Sequence, residues 1–208
     1  MTRQNPAQGL PAAGIDFAAF PRTQLSGERV LARAHKARYG PGWFSSDCSG
    51  RFDLPGPAGT CYAADDLAVS LRECFGTVLT ASGYVTPSDA ERQAVSTVKG
   101  IRGTFASVSE ARAAAFGVTA ELTSMTPYTV PQEWARLLHE SGFGGIRYAP
   151  RFTPGPPSAW AIFGAAGSQP LGEVVEMIPG LEACRRAGVP VLTEPPGLGE
   201  LRRVRGAR

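Results

Sequence analysis

The chain has 208 residues, 43% hydrophobic and 19% charged, with a formal net charge of +3. That is enough chain to bury a core without disulfides or metals, and too apolar for wholesale disorder. It holds no apolar run of the ~18 residues a membrane helix needs, and Met1–Leu10 does not read as a basic-then-apolar secretory leader.

Cys48, Cys61, Cys74 and Cys184 form no CxxC pair. Buried or free thiols in a reducing cytoplasm are therefore expected, with no zinc site, no dithiol redox motif and no disulfide scaffold. Among 21 basic residues only Lys36 and Lys99 are lysines. An arginine excess suits an anionic ligand, because guanidinium meets phosphate and carboxylate with paired donors. A GC-rich genome produces the same excess. The arginines cluster only at Arg202, Arg203, Arg205 and Arg208, which read as a solvated end rather than a nucleic-acid arm.

In chain order, residues 1–27 mix Pro, Gly, Gln and small residues and read as an extended arm. Residues 28–180 form the main domain, and 181–208 a helix or tail. Val30–His35 reads as the first strand, with Leu31, Arg33 and His35 on one face. That face is either solvated or lines a polar cleft. Residues 39–60 form a long Gly/Ser/Pro-rich loop carrying Trp43, Phe44, Arg51, Phe52 and Asp53, side chains that suit a ligand wall. Cys61–Ala64 reads as a short strand. Asp65 or Asp66 caps a helix over Leu67–Phe75, ended by Gly76, whose core stripe is Leu67, Leu71, Cys74 and Phe75. Glu73 lies off that stripe, as a solvated glutamate would.

A strand is expected around Thr104–Val108, then a short helix capped by Ser109 and stopped by Gly117. Val130-Pro131 opens a stronger helix reaching Ser141, with Trp134, Leu137, Leu138 and Ser141 on one face. Ile146–Tyr148 and Ala159–Phe163 are further strands, and 171–180 an edge strand. Strands and helices alternate irregularly, with loops too long for neat βαβ units, which points to an α+β fold.

The chain has no P-loop, no GxGxxG after a strand, no HExxH and no GxSxG. Its two histidines, His35 and His139, support neither a triad nor a metal site. Arg33, Arg51, Tyr62 and Glu73 follow one another across strand, loop, strand and helix. Two arginines suit a diphosphate, an aromatic stacks on a planar ring, and a carboxylate stabilises a developing cation.

The runs Leu31–His35, Trp43-Phe44, Arg51–Asp53, Tyr62–Ala64 and Leu71–Glu73 resemble the N-terminal half of the RES-domain family. Trp134–His139, Gly145–Tyr148 and Ile162–Gly164 resemble its C-terminal half. The resemblance spans about residues 29–165. It implies an ADP-ribosyltransferase-like α+β core of mixed or antiparallel sheet with flanking helices. It also implies a toxin that degrades NAD by cleaving the nicotinamide N-glycosidic bond, with phosphate or water as acceptor. NAD is then substrate rather than cofactor. Arg33 and Glu73 become catalytic, and Arg33, Arg51, Tyr62, Trp43 and Ser158 NAD-binding. A helix-turn-helix antitoxin, inorganic phosphate and a second copy of the chain are the implied partners; membrane and direct nucleic-acid contact are not. The family's serine position, two residues past Tyr148, holds Pro150, which has no hydroxyl. Ser158 supplies one only if the intervening loop folds back; otherwise it is a turn residue. Two alternatives follow: a catalytically impaired nucleotide- or partner-binding protein, and a transferase moving ADP-ribose onto a macromolecule.

Overall fold

The computed structural model describes residues 7–192; the arginine cluster at 202–208 and the first six residues lie outside them. In chain order the strands are β1 (Arg22–Ser26), β2 (Leu31–Lys36), β3 (Trp43–Phe44), β4 (Ala58–Ala64), β5 (Gln93–Lys99), β6 (Arg102–Ser107), β7 (Gly145–Tyr148), β8 (Ala159–Ala165), β9 (Gly167–Ser168) and β10 (Glu173–Pro179). The helices are α1 (Leu67–Ser82), α2 (Pro87–Glu91), α3 (Thr129–Glu140) and α4 (Gly180–Ala187), with 3₁₀ segments at Ala111–Phe116 and Ala120–Thr123.

Eight strands form one sheet in the order β1-β6-β7-β8-β4-β2-β5-β10, and β3 pairs with β9 apart from it. Neighbours are antiparallel except β6 and β7, which run parallel, with α3 in the connection between them. The fold is thus α+β with a mixed sheet and flanking helices, as the irregular alternation of elements implied.

Three apolar clusters hold the layers together. Trp134, Ala135 and Leu138 of α3 pack with Phe17, Phe20, Phe52, Ile146 and Phe163. Leu71 and Phe75 of α1 and Ala183 and Cys184 of α4 close over Val95 and Ile178. A third cluster joins Leu31, Cys61, Val98, Phe105 and Trp160 to Phe44 of β3. Burying each large apolar side chain contributes roughly 1.5–3 kcal/mol, so the sheet is clamped at both ends by helices and filled in the middle by aromatics.

The segment expected to be an extended arm is built into the domain. Its β1 pairs with β6 from Arg22↔Ala106 to Ser26↔Arg102, and Phe17 and Phe20 are buried in the core. Two aromatics three residues apart anchor a stretch whose overall composition reads as loop. The first strand is therefore β1, and Leu31–Lys36 is the second. β5 is also a full strand where only Thr104–Val108 had the expected pattern.

The helix expected to stop at Gly76 runs on to Ser82 and ends on Gly83, which adopts the left-handed conformation at φ 79°. Gly76 serves packing instead: a Cβ there would lie 2.1 Å from the Phe152 ring. The buried face of α1 is Val69, Ser70, Leu71, Phe75 and Gly76, while Cys74 is exposed. Ser109 does not cap the helix after it; its hydroxyl accepts from the Ala149 amide at 2.7 Å. The expected edge strand is β10, which lies at the sheet edge, and α4 follows it; residues 193–208 of the expected helix or tail lie outside the described residues.

Candidate active site

The site begins with a split in the sheet. β4 stays in register with β8 from Ala58↔Ala165 to Ala64↔Ala159, but its registered pairing with β2 is confined to Ala32↔Ala64. Past that pair the strands diverge and leave ladder groups open. Such groups must find partners when buried. The Tyr62 carbonyl accepts from Arg33 Nη1 at 2.8 Å, and the Ala34 amide donates to the Ser70 hydroxyl of α1 at 2.6 Å. Into this split opens a cavity of about 930 Å³, lined by side chains from β2, β3, β4, α1 and the loops at 45–53 and 152.

The loop after β3 is held by side chains rather than by a ladder. Thr60 donates to the Phe52 carbonyl and accepts from the Leu54 amide. Tyr62 donates to Asp53 Oδ1 at 2.8 Å and accepts from the Phe52 amide, and Asp53 Oδ2 accepts from the Gly50 amide. Burial raises Asp53 above the usual carboxylate range, which those two hydrogen bonds partly offset. Gly50 is required here, because a Cβ would sit 2.5 Å from Asp53 Oδ1.

Five of the six anticipated side chains line the cavity: Arg33, Trp43, Arg51, Tyr62 and Glu73. Arg33 is 7% exposed and Arg51 8% exposed, yet neither forms an ion pair among the described residues. In both, Nε is buried without a hydrogen-bond partner. Arg33 also donates from Nη2 to the Trp43 carbonyl at 2.6 Å, tying β3 to β2. Arg51 lies over the Tyr128 ring, 5.2 Å from its centroid. Trp43 stacks on Tyr39 at 4.4 Å and 12°, placing two flat rings in the cavity wall.

Glu73 is half-buried rather than solvated, and its Oε1 accepts from the Phe152 amide at 2.7 Å. The face of β2 carrying Arg33 and His35 turns into the cavity. His35 bonds Ser96 Oγ through Nε2 at 2.9 Å; burial first, and the Arg33 charge last, lower its pKa, against the raising effect of the Lys36 carbonyl.

Ser158 stands apart. It precedes β8, accepts from Arg147 Nε at 2.9 Å, donates its amide to Asp65 and is not in the cavity lining. Its hydroxyl is committed to the scaffold, as a turn residue's would be. Pro150 is buried just past β7 and is also absent from the lining.

Among the lining residues given no site role from sequence are Tyr128 and Tyr148. Tyr148 is 5% exposed and packs edge-on against Phe52, and its hydroxyl makes no hydrogen bond among the described residues. Strand alternation groups it with Ile146, a core position, so its phenol carries no sequence signal of function. Tyr128 precedes α3 in a polar linker where nothing marks it.

A family model described as RES domain matches residues 29–181. The fold is similar to a chain in the crystal structure of the M. tuberculosis MbcT-MbcA toxin-antitoxin complex, with a TM-score of 0.63 at 11% identity over 80% of this chain and 92% of that one. No curated protein matches the sequence.

Proposed function

The chain belongs to the RES-domain family, and from that premise we propose that it is a toxin-like enzyme that consumes NAD. One observation carries the reading. Arg33 and Arg51 are buried without carboxylate partners among the described residues, on the same cavity as the Glu73 carboxylate. A buried guanidinium without a counter-ion is costly, and an anionic ligand in the cavity removes that cost. A diphosphate supplies the anion, and the faces of Trp43 and Tyr62 suit its flat rings.

The reaction breaks the bond between ribose C1′ and the nicotinamide nitrogen. The electron pair leaves with nicotinamide, which becomes neutral, and positive charge builds on the ribose. Glu73 stabilises that charge, its carboxylate already oriented by the Phe152 amide. An oxygen of phosphate or water then attacks C1′; when water attacks, its proton passes to Glu73. The similar solved structure is of a toxin-antitoxin complex, which supports a protein antitoxin as partner. Pro150 at the family's serine position favours a second reading, a binding protein of the same fold with impaired catalysis.

The test is NAD loss by the purified chain, with and without inorganic phosphate, beside Glu73→Gln. Glu73→Gln is expected to keep the melting temperature and lower the rate by roughly 10²–10⁴-fold. An unchanged rate removes Glu73 from the chemistry. Loss only with phosphate identifies a phosphorylase, and loss without it a hydrolase. Folded wild-type chain that consumes no NAD in either buffer supports the binding-protein reading.

A further inference from the structure

We propose that Arg51 and Tyr148 form an oxyanion site that takes a phosphate group, with the Tyr148 hydroxyl as its neutral donor. The assignment to phosphate rests on the NAD reading above; the site itself rests on two side chains. Both are more than nine-tenths buried, both line the cavity, and both hold donors that no described residue accepts.

Leaving a buried donor unpaired costs about 1–3 kcal/mol, and Arg51 Nε is such a donor; Tyr148 lines the same cavity, and its hydroxyl has no acceptor among the described residues. The nearby acid does not relieve it. Asp53 is already bonded by Tyr62 and the Gly50 amide. Glu73 accepts from Phe152 and makes no hydrogen bond to Tyr148. Among the described residues, Arg51 is compensated by the Tyr128 ring face.

The phenol is suited to donate rather than ionise. Burial, then the Glu73 charge, push Tyr148 above its usual range, with Arg51 pulling the other way. It therefore keeps its proton across physiological pH. A fixed cation beside a neutral donor presents N–H and O–H groups to one phosphate, whose several oxygens accept both. The pairing also bears on Pro150: it gives the cavity a hydroxyl where the family's serine is absent.

The phosphate oxygens have two sources, the diphosphate of the dinucleotide or inorganic phosphate as acceptor. Calorimetric titration of the full chain with inorganic phosphate and, separately, with ADP distinguishes them. Tyr148→Phe is expected to weaken at least one of these by about tenfold and to leave the unliganded melting temperature unchanged or higher, since it removes only an unpartnered hydroxyl. Arg51→Gln is expected to weaken the same ligand further. A loss confined to ADP assigns the site to the dinucleotide, and a loss confined to phosphate assigns it to the acceptor. Wild-type affinities for both ligands in Tyr148→Phe overturn the site, as does a fall in NAD turnover with both affinities unchanged, which would make the phenol a partner of Glu73. The two readings fail separately. Phosphate or ADP binding without NAD loss in the wild type leaves the site standing and removes the enzyme. NAD loss with Tyr148-independent binding does the reverse.

Discussion

A histidine removed from water records its surroundings in its proton affinity. His35 is held between Ser96 and the Lys36 carbonyl, on the same strand face as the Arg33 charge. Burial lowers its folded-state pKa below the ordinary imidazole value of about 6.5. When the pH falls through that value, the unfolded chain binds a proton that the native state refuses. Stability present at neutral pH is therefore lost as acid is added, down to the lowered folded-state pKa. We expect His35→Gln to flatten the decline in melting temperature between about pH 7 and pH 5. A decline as steep as the wild type's would show that other groups carry the acid sensitivity. The strand pattern already grouped His35 with Arg33. Whether that face met water or a cleft was not legible, because alternation assigns sides and not what lies beyond them.

At the scale of elements, Gly76 links a helix to the chemistry. Glycine inside a helix costs about 1 kcal/mol relative to alanine, so Gly76→Ala in a free helix would stabilise it. Here the Phe152 ring occupies the space a Cβ needs, and the Phe152 amide holds Glu73. We expect Gly76→Ala to unseat Phe152 and destabilise the fold by roughly 1–3 kcal/mol. NAD turnover should fall more in kcat than in KM, because Glu73 loses its orientation. Gly76→Ala with Phe152→Ala removes the clash and keeps the amide, so partial recovery of kcat is expected. Urea denaturation and steady-state kinetics check both, and a single variant with wild-type turnover would separate the loop from Glu73. Gly76 looks like a helix stop because local sequence cannot show a ring arriving from 76 residues downstream. The amphipathic pattern still located the helix, its Asp66 cap accepting from the Val69 amide.

Over the whole molecule, the split between β2 and β4 makes the cavity, and Arg33 spans it. The guanidinium serves carbonyls on two strands, Tyr62 and Trp43, while retaining a charge with no ion-pair partner among the described residues. Arg33 is thus part of the scaffold as well as of the site. We expect Arg33→Met to lose about 1–3 kcal/mol for each carbonyl left without a donor, together with stabilisation by added ADP. Arg33→Lys, with charge but without the fork, should be intermediate in stability. Chemical denaturation with and without ADP measures both effects. A wild-type midpoint in Arg33→Met would mean that the carbonyls find other donors.

The sequence by itself determined the α+β class and most strand and helix positions from β2 onward, because periodicity and residue chemistry are local. Arg33, Trp43, Arg51, Tyr62 and Glu73 were singled out through the resemblance to the RES-domain family, and the structure brings all five to one cavity. Tertiary structure alone decided that the N-terminal segment joins the sheet, that Gly76 is a packing position and that Ser158 bonds Arg147 away from the cavity. It also decided that Tyr148 lines the cavity with a hydroxyl that has no partner among the described residues. Each of these depends on a contact between residues far apart in the chain. Which polar groups remain unpaired, and hence where a ligand fits, is known only once every other hydrogen bond has been made.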